Sequence, residues 1–123
     1  TPVMVYADYE KIQRVIYNLL DNAIKFTNKN GKIILKTEEL EQKAYISIID
    51  NGIGMKEDEQ ARIFDRLYKA DSSRGMDKTG SGLGLSIVKE FIKAHNEEIF
   101  VKSTLGKGST FTFTLKLYNK NKK

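Results

Sequence analysis

Between residues 12 and 26 apolar side chains recur every three or four positions, at Ile12, Val15, Ile16, Leu19, Leu20, Ala23 and Phe26. That is the period of a helix with one buried face. Asp8 precedes the stripe as an N-cap, so the pattern predicts a long helix from there to about Thr27. A second helical pattern starts at Leu83 and carries Ile87, Val88, Phe91 and Ile92 on one face. Elsewhere the period shortens. Residues 3–6 read as a short strand, residues 32–37 and 44–50 as a hairpin joined by the polar stretch 38–43, and residues 98–103 and 109–117 as a closing pair. The turn of that pair is Leu105-Gly106-Lys107-Gly108, and Phe111, Phe113, Leu115 and Leu117 alternate with polar residues along its second strand. A short helix is expected over about residues 57–64, and residues 68–80 lack apolar periodicity and read as a long loop, a candidate lid.

Strands with one apolar face and two amphipathic helices combine as a two-layer α/β sandwich of the α+β kind. The expected sheet is mixed but mostly antiparallel, with the helices on one face. The 123 residues form a single expected domain, 1–123, with a core ending near residue 117 and a basic tail over 118–123. The opening Thr1-Pro2, without an initiator Met, leads to the expectation of a fragment from a longer protein. No apolar run approaches the ~20 residues of a membrane span, so no direct membrane contact is expected of the piece itself.

Composition narrows the chemistry. The chain has no cysteine and one histidine, which excludes thiolate and histidine-cluster metal sites. Its net charge of +5 comes without a basic stripe interleaved with exposed aromatics, so nucleic acid is not an expected partner and an anionic small ligand fits as well. The run Gly80-Ser81-Gly82-Leu83-Gly84-Leu85 opens the second helix and has the form of a phosphate-side loop. It lacks the spacing of a dinucleotide fingerprint, and no Gly-Lys pair is followed by the Ser or Thr of a P-loop.

On the first helix Asn18, Asn22 and Lys25 fall within about 60° of one another around the axis, on the flank between core and solvent. Neutral amide oxygens suit Mg²⁺ that keeps water and phosphate oxygens as its other ligands, and a nearby Lys suits the phosphates themselves. The same three residues also fit an ordinary solvated helix face. Asp50 ends a strand and is followed by Gly52 and Gly54. A carboxylate buried there needs hydrogen-bond donors, and an exocyclic amine is a suitable one; a plain turn at Asn51-Gly52 is the competing reading. Lys69, Arg74 and Lys78 lie in the loop, within reach of phosphates if it closes. His95, at the end of the second helix, fits a capping role.

Taken in order, the motifs resemble the catalytic and ATP-binding domain of sensor histidine kinases, within the gyrase-like, Bergerat-fold ATPases. Residues Asn18-Leu19-Leu20-Asp21-Asn22-Ala23-Ile24-Lys25-Phe26 look like the N box, and Asp50-Asn51-Gly52-Ile53-Gly54 like the first glycine box. Ile63-Phe64-Asp65-Arg66-Leu67-Tyr68 is similar to the F box, the run from Gly80 to Leu85 to the second glycine box, and Gly106-Lys107-Gly108-Ser109-Thr110-Phe111 to the last.

The resemblance implies that Asn22, with Asn18 beside it, serves Mg²⁺ on the ATP phosphates, that Lys25 contacts phosphate and that Asp50 receives the adenine amine. It implies that Lys69 and Lys78 are lid-side phosphate contacts, that Gly80, Gly82 and Gly84 form the phosphate-side hinge, that Gly52, Gly54, Leu83 and Leu85 also bind ATP, and that Thr110 borders the base. The expected reaction is γ-phosphoryl transfer to a histidine on a separate helical dimerisation and phosphoacceptor domain, the first step of two-component signalling. A response regulator would be the partner of the full-length kinase. The fragment is expected to be a monomeric cytoplasmic domain of a membrane-bound sensor. The alternatives within the superfamily are a conformational ATPase and a serine-kinase anti-sigma factor; a degenerate, partner-binding domain is a third. In this sequence Asn18 stands where a water-activating Glu would be needed, Lys69 replaces a frequent Arg, Leu67 a frequent Phe, and Asn96-Glu97 the usual Gly-Gly after His95.

Overall fold

Asp8 begins the first helix as its side chain accepts a hydrogen bond from the Lys11 N–H at 3.1 Å, which satisfies one of the helix's unpaired donors. The computed structural model describes residues 4–65 and 84–118. In chain order its elements are α1 (Tyr9–Phe26), β1 (Ile33–Leu40), β2 (Lys43–Asp50), α2 (Glu57–Arg62), α3 (Gly84–Ala94), β3 (Ile99–Thr104) and β4 (Gly108–Lys116). The expected loop over residues 68–80 lies outside the described residues. The segment near residues 3–6, expected as a strand, forms only the isolated bridge Val5 to Leu117.

The strands among the described residues are ordered β1-β2-β4-β3, and every pairing is antiparallel, where the sequence pattern led to a mixed, mostly antiparallel sheet. Period two divides the sheet cleanly. Ala44, Ile46 and Ile48 of β2, with Phe111, Phe113 and Leu115 of β4, face the helices and are buried. Against them pack Ile12, Val15, Leu19 and Ala23 of α1 and Val88 and Ile92 of α3, the stripes that the three- and four-residue spacing marks. The opposite face carries polar pairs such as Ser47 Oγ to Thr112 Oγ1 at 2.9 Å. Strand β4 is buried along almost its whole length because it is central, flanked by β2 and β3.

The first hairpin is longer and tighter than its polarity implies. Strand β1 runs on through Glu38 and Glu39, which are tolerated because β1 is an exposed edge strand. The turn is then only Glu41-Gln42, both at positive φ (49° and 69°), the pattern of a type I′ turn. Neither residue is suited to that region, where side chains cost about 1 kcal/mol or more each. Replacing the pair with Asn-Gly is therefore expected to stabilise the chain by about 1 kcal/mol; urea denaturation showing no gain would contradict the assigned turn.

At the far end of α3, Asn96 takes the left-handed conformation (φ 58°) in which Gly is usual. Glu97, the other departure from Gly-Gly, turns inward: its Oε1 accepts from Lys43 Nζ at 3.0 Å and from the Thr114 hydroxyl at 2.7 Å. The substitution is local, replacing a flexible link by a strap between α3 and the β2–β4 pair.

Candidate nucleotide site

Asp50, the last residue of β2, faces the helices and is only 6% exposed. Its Oδ1 accepts from the backbone N–H of Gly52 at 2.9 Å and of Ser109 at 3.3 Å. Burial pushes its pKa above the ordinary carboxylate value, and these two N–H groups oppose the shift. Among the described residues no hydrogen bond reaches Oδ2, so the carboxylate keeps an acceptor for something else.

The glycines explain the loop after it. A Cβ on Gly52 would stand 2.0 Å from the carbonyl oxygen of Phe26, and a Cβ on Gly54 (φ 70°) would stand 2.0 Å from that of Thr104. The loop is thus pressed between the last turn of α1 and the β3–β4 turn. The Ile53 N–H donates to Phe26 O at 3.1 Å, and the Ile53 carbonyl accepts from Gly106 N–H at 2.6 Å. Asn51 does not make a hairpin turn: its Oδ1 accepts from Lys32 N–H at 2.7 Å and pins the entry to β1. Phe26 is one helical turn beyond Asn22, which sets the Asp50 loop beside the amide-bearing flank of α1.

On that flank the side-chain Nδ2 of Asn18 donates to the carbonyl of Gly84 at 3.3 Å. Asn18 therefore joins α1 to the first residue of α3, bringing together two positions that are 66 apart in sequence. Asn22 is half-buried next to them, and Lys25 is paired with Asp21 at 3.1 Å. Leu85 is buried in the core, so its side chain packs rather than faces a ligand. Lys69, Lys78, Gly80, Gly82 and Leu83 lie outside the described residues.

Thr110 is not brought to Asp50. It pairs with Ile49 and Lys102, which places it on the other face of the sheet, whereas its neighbour Ser109 pairs with Asp50. A shift of one residue in a strand reverses the face, so a motif letter alone does not tell which hydroxyl faces the site. Three further residues join the site without a role assigned by the sequence pattern: Ser109, Ser103 and Gln60. Ser103 Oγ lies 2.7 Å from Ser109 Oγ, and the Gln60 side chain bonds both the N–H and the carbonyl of Ser103, at 3.1 and 2.9 Å. The alternation of β4 against β2 would have pointed to Ser109 once the register was known; no sequence signal marks the other two.

Residues 7–119 match the family described as histidine kinase-, DNA gyrase B- and HSP90-like ATPase. The chain belongs to this ATPase family. Among solved structures, a mycobacterial sensor histidine kinase, MprB, superposes with a TM-score of 0.86 at 30% identity, over 95% of this chain and 79% of that one. The catalytic domain of the histidine kinase ThkA superposes with a TM-score of 0.77 at 31% identity, over 91% of this chain and 70% of that one. Among sequence relatives, the adaptive-response sensory kinase SasA of Crocosphaera subtropica is 44% identical over 93% of this chain and 30% of its own length. The sensor histidine kinase WalK of Bacillus subtilis is 40% identical over 90% of this chain and 18% of its own length. The chain thus spans less than a third of these two relatives. It is a histidine-kinase catalytic domain of the α/β Bergerat fold. No helix of this kinase domain, among the described residues, is long and apolar enough to cross a membrane.

Proposed function

We propose that this kinase domain binds Mg-ATP and donates the γ-phosphoryl group to a histidine on a separate helical phosphoacceptor domain, from which a response regulator is then phosphorylated. The observation that carries the reading is Asp50: a buried carboxylate, braced on one oxygen and, among the described residues, without a hydrogen bond on the other, at the foot of a loop built to bring backbone close. Such a group recognises a donor, and the exocyclic amine of adenine supplies one. The ShkA histidine kinase, solved in complex with AMPPNP, superposes with a TM-score of 0.80 at 28% identity, which supports a nucleotide in this fold.

Asn22 and Asn18 suit a divalent ion in donor type, because their amide oxygens are neutral hard donors. An ion there would take one or two amide oxygens and keep phosphate and water oxygens, the habit of Mg²⁺. When bound, the ion supplies neutralisation of charge on the β- and γ-phosphate oxygens. Asn18 has a second duty, holding the first residue of α3, at the helix end whose dipole favours an anion. In the transfer the bond from the γ-phosphorus to its bridging oxygen breaks, a nitrogen–phosphorus bond forms and ADP leaves.

The acceptor nitrogen must come from elsewhere. The chain's one histidine, His95, accepts the Asp8 N–H at Nε2 (2.9 Å) and bonds the Phe91 carbonyl at Nδ1 (2.8 Å), so both ring nitrogens serve the fold. A hydrolytic role is disfavoured because Asn18 has no basic group with which to activate water.

Two measurements test the reading. With labelled ATP and a helical domain carrying a phosphoacceptor histidine, the kinase domain should transfer an acid-labile, base-stable label; absence of transfer would count against it. Asn22→Ala should weaken Mg-ATP binding by about tenfold or more while leaving the melting temperature unchanged. Wild-type affinity by calorimetry would remove Asn22 from the site.

A further inference from the structure

The glycine loop and β4 meet on the hydroxyl of Ser103 in β3. Its Oγ lies 2.8 Å from the Met55 N–H in the glycine loop, 2.9 Å from the Gly108 carbonyl and 2.7 Å from the Ser109 hydroxyl. The Gln60 side chain holds the Ser103 backbone on both sides, as a neighbouring strand would, and its Nε2 also donates to Met55 O at 3.2 Å.

A serine hydroxyl has one proton and two lone pairs. A carbonyl only accepts, so the Ser103 proton goes to Gly108. The Met55 N–H takes one lone pair. The other faces Ser109, whose hydroxyl must therefore be the donor in that bond. Ser109 Oγ has then spent its only proton and offers lone pairs alone to any further partner.

Ser109 pairs with Asp50 in the β2–β4 register, so its side chain shares the Asp50 face, and both residues are buried. The Asp50 carboxylate likewise offers only lone pairs when ionised. We infer that Ser103 is a specificity-determining positioning residue: by taking the Ser109 proton it makes the side-chain floor of the base pocket acceptor-only. Where Asp50 and Ser109 face position 6 of a purine, that floor pairs with an amino group and leaves a carbonyl unpaired. A buried acceptor facing a carbonyl leaves both unpaired, which is where recognition by hydrogen bonding discriminates most strongly.

The inference rests on the reading that Asp50 receives the base of ATP, and the test separates the two. Binding of ATP and of inosine triphosphate, which carries the 6-carbonyl, is measured by calorimetry for the wild-type chain, Ser103→Ala and Ser103→Thr, each checked for folding by circular dichroism. The wild type should prefer ATP. Ser103→Ala frees the Ser109 proton to turn into the pocket, so the ATP preference should fall by about tenfold, partly through tighter binding of the inosine nucleotide. Ser103→Thr keeps the hydroxyl and should keep the preference. An unchanged ratio in folded Ser103→Ala overturns the inference. If that variant does not fold, Ser109→Ala takes its place, and an unchanged ratio there overturns it equally. A wild-type chain that binds neither nucleotide overturns the ATP reading and this inference together. Loss of ATP binding in Asp50→Asn beside an unaltered Ser103→Ala ratio removes this inference alone.

Discussion

Asp50→Asn is expected to weaken ATP binding by about a hundredfold and, in the absence of nucleotide, to raise the melting temperature of the chain. The two effects share one cause. Asparagine keeps an oxygen for the Gly52 and Ser109 N–H groups, so the loop stays braced, but it brings no charge into the interior. In the wild type, burial raises the Asp50 pKa, so the fold disfavours the ionised form that dominates at neutral pH. The sign follows from linkage: above the raised folded-state pKa this cost is fully present, and it disappears as the pH falls through that value toward the unfolded one. The stability advantage of Asp50→Asn should therefore shrink as the solution is acidified. ATP affinity of the wild type should decline over the same range, because the protonated acid no longer attracts the amine as an anion does. Losing a hydrogen bond to a charged group is worth roughly 1.5–3 kcal/mol, which sets the hundredfold scale. Thermal melts across pH with parallel calorimetry decide the matter; an asparagine variant that melts lower at neutral pH and binds ATP normally would refute both halves.

Gly108→Ala is expected to cost more than about 3 kcal/mol, enough to unfold much of a marginally stable domain. Gly108 has φ 126°, a region closed to residues with a Cβ, and its Cβ would stand 2.0 Å from the Asp50 carbonyl oxygen and 2.8 Å from the Asn51 Cα. These are backbone atoms of the central strand pair, so no side chain can rotate away. Gly106→Ala is the control. It too has positive φ (84°), but nothing lies within 4 Å of its Cβ, so only the conformational cost of about 1 kcal/mol applies. Equal losses for the two variants in urea denaturation would show that backbone conformation, not the close approach of β2 to β4, determines why glycine is needed.

These two residues also mark what could be read before the fold was known. Both helices were legible because a stripe such as Ile12, Val15, Leu19 and Ala23 is set by the local 3.6-residue period, which needs no partner to be recognised. Asp50 was legible as a candidate because its neighbours Gly52 and Gly54 are spaced for close backbone approach, and the structure finds both of them against carbonyl oxygens of other elements. The hairpin turn was misjudged for the opposite reason. Glu38 and Glu39 are polar because β1 is an edge strand, and edge position is a property of the assembled sheet.

The amino-acid sequence by itself determined the element types, the apolar faces and the order of boxes that places this chain among the histidine-kinase ATPases. Element types and apolar faces depend on spacing within a few residues, and each box is itself a short local pattern read in chain order. Tertiary structure alone decided which hydroxyl of Ser109-Thr110 stands by Asp50, that Asn18 grips the start of α3, and that Ser103 and Gln60 lie behind Ser109 at all. Those facts depend on strand register and on contacts between residues 43 or more apart, which periodicity does not encode. A one-residue change of register would have exchanged Ser109 for Thr110 without altering a single local pattern.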